Sequence, residues 1–151
     1  MEITSNTDQI LLRIDKRIAQ AKDTSIVMKN ISIDMKNKID HRFKTESDPN
    51  GNRWARNSEV TIKRKKSSKP GHDTGRLASS MHSKNTRDKA TAGTNVIYGK
   101  TFNYGAKKGQ YGYSISRKTP VPWGNVPSRK FIGFSGNQKK LYTRWIKDFL
   151  K

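Results

Sequence analysis

Between residues 7 and 22 the apolar side chains fall at Ile10, Leu11, Ile14, Ile18 and Ala21, a three-to-four spacing that draws one stripe along a helix. Asn6 or Thr7 is placed to cap it, because a short side-chain oxygen accepts from an orphan amide of the first turn. Asp23-Thr24-Ser25 reads as a break with a fresh cap. Beyond it, Met28, Ile31, Met35, Ile39 and Phe43 line one face of a second helix. The other face alternates Lys29, Asp34, Lys36, Lys38, Asp40 and Arg42 and reads as solvated. Nothing at 23–25 forbids one continuous helix.

After Phe43 the helical period is lost. Asp48-Pro49-Asn50-Gly51 predicts a sharp turn, since proline sets φ at its second position and glycine tolerates the positive φ that follows. A short helix is predicted over 54–66, with Trp54 and Ile62 as its buried points, then a loop through Pro70-Gly71. Strands are predicted over 77–87 and 92–98, the second carrying Val96, Ile97 and Tyr98. A short helix over 101–108 and a strand over 113–118 follow. Pro120, Pro122 and Pro127 rule out regular structure across 119–128. Ser135 caps a last helix whose apolar positions, Leu141, Trp145 and Phe149, recur every four residues, flanked by Tyr142, Ile146 and Leu150.

These elements give an α+β chain: N-terminal helices over 1–45, a central antiparallel or mixed sheet with loops over 46–134, and a C-terminal amphipathic helix over 135–151, all in one domain. The expected core is Trp54, Leu77, Val96, Tyr98, Phe131, Ile132, Leu141, Trp145 and Phe149. Hydrophobic residues make up only 31% of the 151, so that core is small. A second apolar set, Ile14, Ile18, Met28, Ile31, Met35 and Ile39, then has limited room in it. This set is expected to pack against a neighbouring subunit.

Charge changes the picture most. The formal net charge is +20, from 32 Lys plus Arg against 12 Asp plus Glu. Residues 1–46 are nearly balanced, nine basic to seven acidic, whereas residues 61–118 carry fourteen basic and two acidic side chains. Such a field attracts a polyanion, whether nucleic acid, a membrane surface or the acidic face of a protein. The candidate polyanion-facing residues are Lys63, Arg64, Lys65, Lys66 and Lys69, extended by Lys107, Lys108, Arg117 and Lys118. Eight of the thirteen aromatic residues lie between 98 and 134: Tyr98, Phe102, Tyr104, Tyr111, Tyr113, Trp123, Phe131 and Phe134. Core and interface packing accounts for them better than base stacking.

Residues for chemistry are scarce. With no cysteine there is no disulfide and no thiolate zinc site. A two-metal nuclease needs several converging carboxylates, and after residue 60 only Asp73, Asp88 and Asp148 remain. His41, His72 and His82 have no ligand spacing, and His72 beside Asp73 is a poor general-base pair. No phosphate-binding loop or nucleophile elbow occurs. The N-terminus has no signal-peptide pattern, and no apolar run is long enough to span a membrane. No enzyme activity, cofactor or metal is expected.

One set of motifs is ordered along the chain. It begins with Phe43 to Trp54, containing the Asp48-Pro49-Asn50-Gly51 turn, and continues through Thr74-Gly75-Arg76-Leu77 and Tyr104-Gly105-Ala106 with Gln110. It closes on Pro127-Ser128-Arg129-Lys130-Phe131-Ile132-Gly133 before the final helix. In that order and spacing, over roughly the last two thirds of the chain, it resembles the phage virion morphogenesis (tail completion) family of Mu-like contractile-tailed phages. Two departures are the aromatic insert Pro120-Val121-Pro122-Trp123-Gly124-Asn125 and Ser128 where alanine is the family's choice. The resemblance implies a structural protein of the virion, assembled in the host cytoplasm, that completes the head-proximal end of a tail as a terminator or neck component. It implies self-association into a hexameric ring, with the tail tube and head-neck proteins as partners and DNA in the channel as a further candidate. It brings no catalytic residues. The rival reading is a basic, non-specific nucleic-acid-binding accessory protein; a toxin or nuclease is disfavoured by the missing carboxylates.

Overall fold

The computed structural model describes residues 7–65 and 68–151; the predicted caps at Asn6 and the Thr7 side chain, and Lys66, lie outside what it describes. The two N-terminal helices are separate, α1 over Thr7–Lys22 and α2 over Ser25–Thr45. At the break the Asp23 carboxylate accepts from the Ser25 amide at 2.9 Å, and the Thr24 hydroxyl donates to the Arg87 carbonyl rather than capping α2.

α2 is the spine of the fold. Toward its C-terminal half, Ile39 and Phe43 join Trp54, Leu77, Met81 and Phe131 in one buried cluster, with Ala78, Ala92, Val96 and Phe102 packed on it. Phe131, with no exposed surface, sits at its centre, and its ring centroid is 5.1 Å from that of Phe43. Toward the N-terminal half, Val27 and Ile31 meet Tyr142 of the last helix, α6 (Gly136–Phe149), with Met28, Met35, Leu141, Trp145, Ile146 and Phe149 around them. An antiparallel hairpin of β1 (His82–Asn85) and β2 (Ala90–Gly93) packs on the same helix, in the register His82 to Gly93 through Asn85 to Ala90.

The class is α+β, with helices at both ends as the apolar pattern predicts. The middle differs in detail. Trp54 is not in a helix. Arg53 bridges to Ser47, the Trp54 amide donates to the Glu46 carbonyl at 2.7 Å, and helix α3 covers only Glu59–Arg64, with Ser58 capping Thr61 and Ile62 exposed. The predicted strand from Leu77 opens instead with a helical turn, α4 (Arg76–Ser79), entered through Gly75 at φ +75. The second strand ends at Gly93, because the Thr94 side chain caps Val96 and turns the chain into α5 (Gly99–Tyr104). Ile97 is left almost fully exposed. Residues 113–118 reduce to β3 (Tyr113–Ser114), which pairs with β4 (Thr119–Pro120), so the prolines do not abolish pairing there. In a two-stranded ribbon, Pro120 costs no interior ladder bond.

These differences move several core residues. Trp54, Leu77 and Phe131 are buried, and Val96, Leu141, Trp145 and Phe149 are partly buried against the clusters. Tyr98 is 48% exposed and Ile132 38%, so neither belongs to the core; the chain turns at both positions rather than running on as strand. The apolar set assigned to a subunit contact divides. Ile31 and Ile39 are buried within the monomer and Met28 and Met35 pack beside them, because α2 is clasped between the hairpin and α6. Only Ile14 and Ile18, on α1, remain exposed.

Candidate functional site

The ordered motifs supply the struts of the fold. Asp48 is a turn hub: its carboxylate accepts from the Asn50 and Asn52 amides at 2.8 and 2.9 Å and from the Asn52 side chain at 3.0 Å. These bonds, the Asn52 side chain foremost, hold its carboxyl below the usual carboxylate range. Gly51, at φ +91, takes the turn's left-handed position. Gly105 is required twice over: its φ is +76, and a Cβ there would meet the Val126 carbonyl oxygen at 2.7 Å. That closeness lets Ala106 bridge to Val126.

The Pro127–Gly133 segment is threaded through the core by side chains. Asn103 is buried and its Oδ1 accepts from the Phe131 and Ile132 amides, both at 3.0 Å. Ser128 donates to the Asn103 carbonyl at 2.8 Å, so the hydroxyl at this departure from the family pattern has a bond of its own. Trp54 Nε1 donates to the Lys130 carbonyl at 3.1 Å. Arg129, also buried, donates from Nε to Ala55 O at 2.7 Å and from Nη2 to Arg56 O at 3.0 Å, fixing the irregular 55–57 segment. From α2, buried Arg42 donates to Phe131 O and Gly133 O at 2.8 and 2.9 Å and to Gln138 Oε1 at 3.1 Å. Gln138 then donates to the Tyr142 hydroxyl, which donates to Asp34 at 2.8 Å. Burial pushes both guanidinium groups below their ordinary range, and burial pushes the Tyr142 hydroxyl up to about 12. Sequence periodicity missed Arg42, Asn103, Arg129 and Gln138. Arg129 alone carried a signal, through its place in an ordered motif.

Arg129 also lines a groove of about 490 Å³ between the 56–65 segment and the loop 122–127. Arg56, Lys65, Phe102, Trp123 and Val126 are among its walls. Trp123 is 53% exposed and the Arg64 guanidinium lies over its ring, 5.1 Å from the centroid. The Lys108 amide donates to Asn125 Oδ1 at 2.9 Å, so the next basic pair abuts the same loop. The structure thus brings Arg64 and Lys65 to one feature and adds Arg56, which sequence reasoning did not name, while Lys108 meets the loop through its backbone amide. Lys63, Lys69 and Lys107 are exposed nearby in sequence, while Arg117 and Lys118 form the turn of the β3–β4 hairpin and do not line the groove. A second cationic surface, unmarked in the sequence reading, is the outer face of α6, with Lys139, Lys140, Arg144 and Lys147 exposed.

Among the described residues no three His, Asp or Glu side chains are placed together to hold a metal ion, and no helix is long and apolar enough to cross a membrane. His72 does not engage Asp73 as a base pair would; its Nε2 lies 3.2 Å from the Phe43 carbonyl and its ring packs edge-on to Phe43.

The chain is thus an α+β scaffold braced by the buried cations Arg42 and Arg129, with basic side chains on its exterior and an exposed N-terminal helix. The phage virion morphogenesis family matches residues 5–151, and the chain belongs to that family. It therefore has a part in building a phage particle. Neither curated proteins nor solved structures gave a match.

Proposed function

We propose that the chain is a non-catalytic tail-completion protein, a terminator or neck component, that caps the head-proximal end of the tail as a homo-oligomeric ring and prepares it to receive the head. The observation that carries this reading is α1. Every side chain from Asp8 to Ala19 is exposed, yet Ile10, Leu11, Ile14 and Ile18 keep a continuous apolar stripe. A sixteen-residue helix is marginal alone in water and draws stability from packing. A second copy is the natural cover: repeated head-to-tail contacts bury one stripe per subunit and close a ring without leaving any arm uncovered. The basic faces then remain outside for the tail tube, neck proteins and DNA in the channel.

Electron microscopy of a lysate lacking the gene tests this. Separate full heads beside unattached or overlong tails are the expected result; joined, normal particles would overturn it. The net charge of +20 favours the rival, a nucleic-acid-binding accessory, only if the purified chain binds duplex with a steep salt slope while particles assemble normally without it.

A further inference from the structure

We infer that the groove between α3 and the 122–127 loop seats an extended acidic segment of another virion protein, one in which a carboxylate neighbours an aromatic or aliphatic side chain. The inference rests on the proposed role in joining virion parts and names the contact through which joining works.

Three observations converge. First, the lining is cationic: Arg56 and Lys65 stand in its walls, Arg64 lies over Trp123, and among the described residues no Asp or Glu contributes. Like charges gathered around one concavity repel one another, and a carboxylate entering there is attracted to all of them at once. Second, the floor is apolar. Phe102, Pro122, Val126 and Pro127 offer contact surface to a side chain, and Trp123 presents an exposed aromatic of the kind that anchors interfaces. Third, the walls are pre-formed. Arg129 pins 55–57 from behind, Lys108 N–H holds Asn125, and the Gly109 amide donates to Pro122 O at 2.9 Å, so little ordering is left to oppose binding.

The shape argues for polypeptide over nucleic acid. Duplex DNA is a rod whose phosphates meet convex or flat basic surfaces, and it cannot enter a concavity of about 490 Å³. A single strand stacks its bases on open aromatic faces, and Arg64 leaves only one face of Trp123 for this, so a dT oligonucleotide is the competitor in the test. An extended peptide fills such a space with one or two side chains and leaves its carboxylates at the cationic rim.

The test is a titration of the full chain with a labelled synthetic peptide of alternating Glu and Phe, its Gln-Phe counterpart and a dT oligonucleotide. The Glu-Phe peptide should bind, and its affinity should fall by about tenfold or more, roughly 1.4 kcal/mol, in Trp123→Ala and in Arg64→Glu. Lys140→Glu, on α6, should leave it unchanged. Both groove positions are exposed, so unchanged melting curves should accompany the loss. Failure of the Glu-Phe peptide to bind, equal binding of the Gln-Phe peptide, or binding unmoved by the groove variants would overturn the inference. So would an oligonucleotide that binds better and loses affinity in the same two variants. In phage, Trp123→Ala should block head-tail joining. Normal joining by that variant, where the deletion blocks it, removes the groove and leaves the tail-completion role; normal joining by the deletion removes the role, and the titration still decides the groove.

Discussion

Arg42 Nη2 donates to Gln138 Oε1 across 3.1 Å, joining side chains 96 positions apart on α2 and α6. The same guanidinium holds the Phe131 and Gly133 carbonyls, so one cation stitches both helices to the segment that passes through the core. Its planar fork of five donors suits three acceptors spread over two elements, which a lysine ammonium on a single stem does not reproduce.

Arg42→Ala should therefore destabilise the chain by about 3 kcal/mol, since it leaves buried carbonyls unpaired and removes charge-assisted bonds. Arg42→Lys should recover only part of this. Urea unfolding of the three proteins checks the order, and a lysine variant as stable as the parent would show that charge alone suffices.

The division of the N-terminal stripe gives a contrast between two variants. Ile31→Asp buries a carboxylate beside Val27 and Tyr142 and should unfold the chain. Ile14→Asp with Ile18→Asp should leave the melting temperature within a few degrees of the parent while abolishing self-association and tail joining. Light scattering and thermal melts on both decide, and a double variant that melts early would place α1 in the folded body.

Tyr142 should make stability fall at alkaline pH. Its folded pKa, about 12, is raised above the ordinary value of 10.0, so the stability tied to its neutral form is fully present below pH about 10 and is lost as pH rises toward about 12. Tyr142→Phe has no proton to lose. The stability difference between parent and variant should shrink across that window and stay flat between pH 6 and 9. Asp48 has the opposite sign: its lowered pKa adds stability above the ordinary carboxylate range that fades on acidification, an advantage absent in Asp48→Asn.

Gly105→Ala should cost more than the roughly 1–3 kcal/mol of a strained backbone conformation alone, because at φ 76 and ψ 176 it lies in a region open essentially to glycine and its Cβ also meets backbone at 2.7 and 2.9 Å. Gly112→Ala, at φ +90 with open space around it, isolates the conformational part. Equal losses in the two would show that the 126–128 backbone yields.

Elements with a sustained period were legible: α1, α2 and α6, with Ser135 accepting from the Gln138 amide as predicted. The middle was not, because its short segments are fixed by single side-chain bonds to distant backbone. Asn103 to residues 131 and 132, and Arg129 to 55 and 56, leave no periodic trace. The same holds for the groove. Arg64 and Lys65 announced themselves as a charge run, but Arg56 and Trp123 become their neighbours through long-range bonds, from Arg129 to 55–57 and from the Lys108 and Gly109 amides to the 122–125 loop. Ile31 was misassigned for another reason: an apolar stripe reports that a face is covered, not by which chain.

Because α2 is shared by both apolar clusters, neither cluster of the described residues stands apart from it. The hairpin, the Phe131 segment and α6 all lean on the same twenty-one-residue rod, so loosening any of them withdraws support from the others. The body should open as a unit, with the amides near Ile31 to Ile39 the last to exchange with solvent. A load applied to the hairpin or to α6 is then borne by the same helix, so strain at one reaches the other through α2.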